Sequence, residues 1–350
     1  MAKKAPRKLG LVLSGGGARG AFQVGVYDRL LRHPLFERGP SVISGTSAGA
    51  INGSLIAAGK TPREIMEFWN GIADDPPIKA SATFFGSAAQ TLAGLAVSEG
   101  VAGLFERDRW QAFLQRARQH FPPRLGSPLA LVVEYLLTAR FELVSHFLEG
   151  IREPFVADVS PLRERLCDVL GGESVRNRDV ALAINTVDAH TGGVVRFVTR
   201  ETPLTRPPDY VVVDAITVDM ILASASIPLL FAPVAIGKHL LWDGGLLVNT
   251  PLAPVLVTEP ARVSPRTFPH FGRAVERTVD SFLENAYNVD RKLLLERNRL
   301  AHVEGTAYRE VRLYEPVRPA RDNLFNAGSY LYFERSVLAK MRDAGRRATS

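Results

Sequence analysis

Leu9-Gly10-Leu11-Val12-Leu13-Ser14-Gly15-Gly16-Gly17-Ala18-Arg19-Gly20, followed by Val42-Ile43-Ser44-Gly45-Thr46-Ser47-Ala48-Gly49, decides the fold class. In both stretches a short apolar run stops at glycines. Leu9–Ser14 reads as a buried strand. Behind it, Ala21–Arg32 places Phe22, Val26 and Leu30 on one stripe, the period of a helix. His33-Pro34 ends that helix, because proline lacks the N–H a further turn needs. Val42–Ser44 is a second short strand, and Ala48–Ala58 is a helix of small residues closed by Gly59. Thr61-Pro62-Arg63-Glu64 opens a third helix as a capping box with proline at the first helical position. Strand, helix, strand, helix with short joints predicts a parallel α/β sheet.

The remaining elements extend outward from this unit. Residues 80–150 carry no strand signal. Apolar and small residues fill Phe84–Phe105, while Trp110–His120 and Leu129–Leu148 read as helices with joints at Pro122-Pro123 and Pro128, so this region is expected to be a helical insertion. Strands resume as a hairpin, Asp179–Val187 and Val194–Arg200, around Ala189–Gly193. Val218–Ser224 is helical and stops before Pro228. A second hairpin, Val234–Ile236 and Leu240–Trp242, turns at Gly237-Lys238 and delivers Asp243. Phe271–His302 reads as largely helical, Val311–Tyr314 as a strand and Glu334–Gly345 as a last helix. No internal repeat or linker stands out. The expected organisation is a basic tail over residues 1–8 and one α/β domain over residues 9–350. Within it lie the insertion at about 80–150 and a looser C-terminal part at about 260–350.

With 350 residues, 46% of them hydrophobic and 23% charged, the chain can bury a large core and reads as globular and soluble. Its one cysteine, Cys167, excludes an internal disulfide, fits a reducing compartment and is expected to be buried and inert in the helical stretch Leu162–Leu170. The basic start, Met1–Lys8, precedes an apolar run of about five residues, short of the ~7–15 of a signal peptide. A cytoplasmic protein is therefore expected. No run reaches the ~18–20 apolar residues of a membrane span. Net charge is +7, a basic surface suited first to solvent and then to peripheral contact with anionic membrane. No nucleic-acid module signature accompanies it.

Three motifs carry chemistry. A serine hydroxyl attacks a carbonyl only when a base takes its proton and the backbone exposes it. Gly45 and Gly49, flanking Ser47, permit the cramped strand-to-helix turn that does so. Gly15, Gly16, Gly17, Ala18, Arg19 and Gly20 follow a strand and open a helix, so their backbone N–H groups form an anion site. In an acyl hydrolase that anion is the oxygen of the tetrahedral intermediate. The Arg19 side chain is expected to tie the loop to a neighbour. The same loop matches the Gly-x-Gly-x-x-Gly dinucleotide fingerprint, which requires an acid about 20 residues on, at the end of the second strand. That strand ends instead in Ser44-Gly45-Thr46, and the nearest acid, Glu37, precedes it. Asp243 ends an apolar run, and Gly244-Gly245 let the chain turn so that its carboxylate can reach Ser47 as a general base. A histidine base would have to be His270 or His302, the two that follow Asp243. The alternatives left standing are a hydrolase with a histidine base and a nucleotide- or anion-binding module built on Gly15–Gly20.

Together these motifs resemble the patatin-like phospholipase family: Gly-Gly-Gly-x-Arg-Gly at Gly15–Gly20, Gly-x-Ser-x-Gly at Gly45–Gly49, Asp-Gly-Gly at Asp243–Gly245. Leu9–Phe22, Ala223-Ser224-Ala225-Ser226-Ile227-Pro228 with Phe231–Val234, Asn249–Leu252 and Asp158–Leu162 are similar to its flanking segments. The resemblance covers residues 9–60 and 155–253 and the C-terminal third loosely. It implies a three-layer α/β/α sandwich with a mostly parallel central sheet and lipid acyl esters, of phospholipase A or lysophospholipase type, as substrates. It further implies Ser47 as nucleophile, Asp243 as base, Gly16, Gly17 and Ala18 as oxyanion loop with Arg19 beside them, and no metal or organic cofactor. The chain departs from the family after Leu252–Val257, where Thr258-Glu259-Pro260 and the turn-rich Val263–Pro269 leave little room for a helix and strand.

Overall fold

The computed structural model describes residues 9–75, 79–104, 107–120, 141–153, 155–175, 177, 179–201, 209–250, 294, 298–299, 311–314, 316–319, 323–325, 327–330 and 333–348. The chain divides into two compact units, one of Met1–Ile78 with Val159–Ser350 and one of Lys79–Asp158. The first opens with β1 (Gly10–Leu13), α1 (Gly20–Leu30), β2 (Val42–Gly45), α2 (Ala48–Ala57) and α3 (Pro62–Asp74). These elements lie within a residue or two of the sequence expectation. The Thr61 capping box is present, with the Thr61 N–H donating to Glu64 Oε2 at 2.8 Å and the Glu64 N–H to Thr61 Oγ1 at 3.3 Å.

The sheet is built around one strand. After α7 (Ser160–Leu170) come β5 (Ala181–Asp188), β6 (Val194–Val198), β7 (Tyr210–Val212), α8 (Val218–Ala225), β8 (Val234–Ile236) and β9 (His239–Asp243). The strand order is β1-β2-β5-β6-β7, with β9 joining β5 and β8 joining β9. All eight residues of β5 are buried. Pairings β1–β2, β2–β5 and β6–β7 are parallel, while β5–β6, β5–β9 and β8–β9 are antiparallel. The α/β class holds, and the described sheet is mixed where a mostly parallel one was expected. The hairpins at residues 189–193 and 237–238 account for two antiparallel pairings, because a short turn can only reverse the chain.

Helix α2 is buried at every residue. A helix apolar on all sides belongs inside a core rather than on a surface. Its one amide side chain is fully used: Asn52 Nδ2 donates to the Gly20 carbonyl and to Gln23 Oε1, both at 2.9 Å, and Asn52 Oδ1 accepts from Trp69 Nε1 at 2.8 Å. Trp69 lies so close to the start of α1 that a Cβ on Gly20 would come within 2.4 Å of its ring. Helix α9 (Arg335–Ala348) packs on α1 with Leu338 and Met341 fully buried.

The second unit is closed by a two-residue ribbon, β3 (Lys79–Ala80) antiparallel to β4 (Ala157–Asp158). It contains α4 (Ala82–Leu104), α5 (Arg107–His120) and α6 (Phe141–Gly150). Helices α4 and α6 meet where a Cβ on Gly150 would strike Thr91 at 2.3 Å. The expected start of α6 at Leu129 and the proline joints lie outside the described residues, as do most of Phe271–His302 and all of Leu252–Pro269. No described helix is long and apolar enough to cross a membrane.

Two expectations are corrected. Val311–Tyr314 is not a strand. Val311 already has both backbone groups bonded to Asn298, whose Nδ2 donates to the Val311 carbonyl at 2.9 Å and whose Oδ1 accepts its N–H at 3.0 Å. Cys167 is half-buried rather than buried, because its place on α7 faces Arg163, whose Nη1 lies 3.9 Å from the sulfur.

The α1–α9 crossing gives a direct test. A Cβ on Gly25 would sit 1.9 Å from the Arg342 carbonyl oxygen, and one on Gly345 2.1 Å from that of Phe22. Backbone-to-backbone clashes cannot be relieved by a rotamer, so Gly345→Ala is expected to cost about 1–3 kcal/mol. Gly86 on α4 has nothing within 4 Å of its Cβ position, and Gly86→Ala is expected to be neutral or stabilising by up to ~1 kcal/mol. Thermal melting of the two variants checks both.

Candidate active site

Two strand ends meet head-on at β5. On one edge β2 runs parallel to it as far as the Gly45–Ile184 pair. Beyond that, β9 comes the opposite way and stops at the Thr186–Asp243 pair. The other edge is taken by β6, so β2 and β9 share one edge with only Asn185 between them. Ser47 lies two residues past the end of β2, and Asp243 is the last residue of β9.

Ser47 sits at the first turn of α2 with φ 55° and ψ −124°. This left-handed region is unfavourable for a residue with a Cβ and marks a strained elbow. The surroundings hold it there. Its N–H donates to Ser224 Oγ at 3.0 Å, and Ser224 in turn donates to the Asn185 carbonyl at 2.6 Å. The Asn185 side chain donates to the Gly45 carbonyl at 2.8 Å. The elbow is pressed tightly: a Cβ on Gly45 would lie 2.3 Å from the Gly49 carbonyl oxygen, and one on Gly49 2.1 Å from that of Leu13. Thr46 ties the elbow to the Asp243 side of the site by donating from Oγ1 to the Val248 carbonyl at 2.7 Å.

Asp243 is buried, 5% exposed. Its N–H donates to the Ser226 carbonyl at 2.9 Å, and Oδ1 accepts the Gly245 N–H at 2.7 Å. Burial pushes its carboxyl up to about 6, against the opposing hydrogen bonds of the Gly245 N–H and the Ser47 side chain. Gly244 is required by closeness, since a Cβ there would meet the Asn185 carbonyl oxygen at 2.2 Å.

The glycine loop faces the same point. A Cβ on Gly15 would lie 3.2 Å from Ser47 Cβ and 2.3 Å from Asn249 Oδ1. Within the expected oxyanion set, the Gly15 N–H donates to the Asn249 carbonyl and the Arg19 N–H to the Gly16 carbonyl, each at 3.0 Å. Both amides are therefore committed, which removes Gly15 and Arg19 as donors. Gly16, Gly17 and Ala18 have no backbone acceptor among the described residues. The Arg19 side chain does tie the loop down. Its Nε donates to Ser329 Oγ at 2.8 Å, an Nη donates to the Phe325 carbonyl at 3.2 Å, and the guanidinium lies 3.8 Å from the centre of the Tyr330 ring. Gly17, at φ 52°, lies so near the Tyr330 carbonyl oxygen that a Cβ would come to 2.2 Å.

Sequence reasoning missed Ser224, Asn185, Asn249 and the segment Asn323–Tyr330. Ser224 and Asn249 fall in segments singled out by resemblance, which was the available signal. Asn185 sits inside an apolar strand run, where a lone amide is conspicuous. The contact of Arg19 with Ser329 joins residues 310 positions apart and has no local signature.

His270 and His302 lie outside the described residues. His239 stands four residues before Asp243 on β9, roughly 13 Å along an extended strand. Its Nδ1 is 2.6 Å from Asp188 Oδ2. Burial alone would raise the Asp188 carboxyl, but the bonds from His239, Thr191 and His190 outweigh it and hold it below the usual range. This pair fastens β9 to the β5–β6 turn.

A family model described as patatin-like phospholipase matches residues 11–256. That is most of the chain, and the chain belongs to the patatin-like phospholipase family; its mixed, helix-flanked sheet is the α/β/α fold of that family. Among solved structures it is similar to VipD from Legionella pneumophila, at 15% identity and TM-score 0.36, over 99% of this chain and 66% of that one. It is also similar to a chain of the ExoU–SpcU heterodimer from the type III secretion system of Pseudomonas aeruginosa, at 18% identity and TM-score 0.28, over 83% and 52%. The chain thus spans just under two thirds of the first and about half of the second. No curated protein sequence matches it.

The Asp243 environment makes a signed prediction about stability. Its folded pKa of about 6 lies above the ordinary value of 3.8, so its contribution to stability is present at low pH and lost as pH rises from about 4 to about 6. Above that, the buried charge costs on the order of 1–3 kcal/mol. Asp243→Asn keeps the shape and an acceptor for the Gly245 N–H. It is expected to melt above wild type at pH 8 and level with it near pH 4, as thermal denaturation at the two pH values would reveal.

Proposed function

We propose that the protein hydrolyses carboxylic esters of lipids through an acyl-serine intermediate, with Ser47 as nucleophile and Asp243 as base. The single observation that supports this reading is the meeting of a strained, buried Ser47 with the buried carboxylate of Asp243, whose pKa is near 6, beside a glycine loop that comes within 3.2 Å of Ser47 Cβ at the Cβ position of Gly15. Asp243 takes the Ser47 proton as Oγ adds to the ester carbonyl. The developing oxyanion is held by Gly16, Gly17 and Ala18 amides, each well-placed donor contributing up to roughly 10²–10³ in rate. The proton passes to the leaving alcohol, and water activated by Asp243 then releases the fatty acid. A carboxylate is a competent base here because burial has raised its proton affinity toward the working pH.

The dinucleotide alternative fares worse. A pyrophosphate on the Gly15–Gly20 loop would bring its negative charge against the carboxylate of Asp243 in a poorly solvated place. Phospholipid or lysophospholipid is the substrate class we favour, with peripheral contact at an anionic membrane surface and a cytoplasmic location, in line with the +7 net charge. The single-domain organisation, with Lys79–Asp158 as an insertion, is part of this reading. No cofactor takes part in these steps.

A fluorophosphonate probe is expected to label the wild-type protein at Ser47, with labelling lost in Ser47→Ala and reduced at least 10²-fold in Asp243→Asn. Labelling that survives Ser47→Ala would exclude the assignment. Intact-protein mass spectrometry reads the outcome.

A further inference from the structure

Among the described residues only two without glycine's freedom have positive φ: Ser47 at 55° and Leu229 at 67°. The first is explained by the elbow. The second is not explained by packing, because Leu229 is 75% exposed. A left-handed leucine is disfavoured by the contact of Cβ with the backbone, and glycine would adopt that conformation without strain. The turn that carries it is closed by the Phe231 N–H donating to the Ile227 carbonyl at 2.9 Å, which leaves Pro228-Leu229-Leu230 as its crown.

This crown stands beside the site. It follows Ser226, whose carbonyl accepts the Asp243 N–H. On the other side of Asp243 the chain continues through Gly244-Gly245 into Leu246 and Leu247. Leu246, Leu247 and Ile227 are 36%, 44% and 38% exposed. Single exposed leucines need no explanation. Four exposed aliphatic side chains on the two segments that flank one buried carboxylate, one leaving it at Gly244 and one bonded to it through Ser226, with the most exposed held in a strained conformation, do.

We propose that these loops form a lipid-docking rim, with Leu229 as the side chain that enters the acyl region of the surface bearing the ester. The inference deepens the lipid-hydrolase reading and rests on it. The occupant is a lipid surface rather than a second copy of the chain. A stable protein interface needs about 800 Å² from each partner, far beyond four partly exposed aliphatic side chains, whereas insertion into lipid needs no matching surface. The net charge of +7 supplies the long-range attraction to anionic headgroups, and the leucines supply the short-range apolar contact.

The test measures binding without turnover. Ser47→Ala protein, with and without Leu229→Gly, is sedimented with phosphatidylcholine vesicles containing phosphatidylglycerol. Loss of one inserted leucine is expected to weaken partitioning about tenfold, while the melting temperature stays level or rises because glycine relieves the strain. Ser substitutions at Leu246 and Leu247 are expected to weaken it further. Partitioning unchanged by Leu229→Gly overturns the proposal, as does a change in oligomeric state with vesicle binding unaltered. Because hydrolysis is absent from this assay, failed fluorophosphonate labelling would count against the Ser47–Asp243 reaction and leave the docking result to stand or fall separately.

Discussion

The site exists because two strands of opposite direction share one edge of β5. Strand β2 leaves that edge after pairing with Ile184, and β9 arrives to pair with Thr186. Neither can be extended without colliding with the other, so both must turn away at the same place. One turns through Gly45-Thr46-Ser47 and the other through Asp243-Gly244-Gly245. Asn185 occupies the gap and bonds twice to the β2 side, where its amide holds the Gly45 carbonyl and its own carbonyl, through Ser224, holds the Ser47 N–H, while on the other side its carbonyl packs against Gly244. Proximity of Ser47 and Asp243 is thus set by register in a fully buried strand. A one-residue slip there would turn the β5 side chains to the other face of the sheet.

Around this meeting point the charges are arranged sparingly. Arg19 is the nearest motif cation, and its guanidinium is directed at Ser329, Phe325 and Tyr330, where it fixes the glycine loop from behind. Asp243 is consequently governed by desolvation, the largest influence on its carboxyl, and its proton affinity rises. The burial that costs stability at neutral pH also raises the basicity the proposed reaction asks of this carboxylate, a trade often found at functional sites.

The first five elements, β1 to α3, were legible because they carry local signals: an apolar run, a helical stripe, a capping box, a proline stop. The motifs were legible because close backbone approach admits only glycine, and Gly45, Gly49 and Gly244 are each within 2.4 Å of a carbonyl oxygen by that measure. What stayed hidden is non-local. The antiparallel arrival of β9 on β5, the role of Ser224 and the clamp of Tyr330 on Gly17 depend on residues far apart in sequence, and short irregular segments such as Asn323–Phe325 carry no periodicity to announce them. The strand expected at Val311–Tyr314 failed for a related reason: an asparagine side chain already supplied the bonding a strand would have sought. That the Gly15 and Arg19 amides are already bonded to the Asn249 and Gly16 carbonyls was hidden too, because backbone hydrogen bonds are invisible in sequence.

The central claim is that a buried aspartate, with no histidine, activates Ser47. The pH dependence of kcat/KM for a soluble short-chain ester tests it most directly, because that profile reports the essential base of the free enzyme. The account predicts activity rising with unit slope to an inflection at about 6, set by Asp243, and level above it, with no change after chemical modification of histidine. An inflection near 7 that histidine modification abolishes would contradict it.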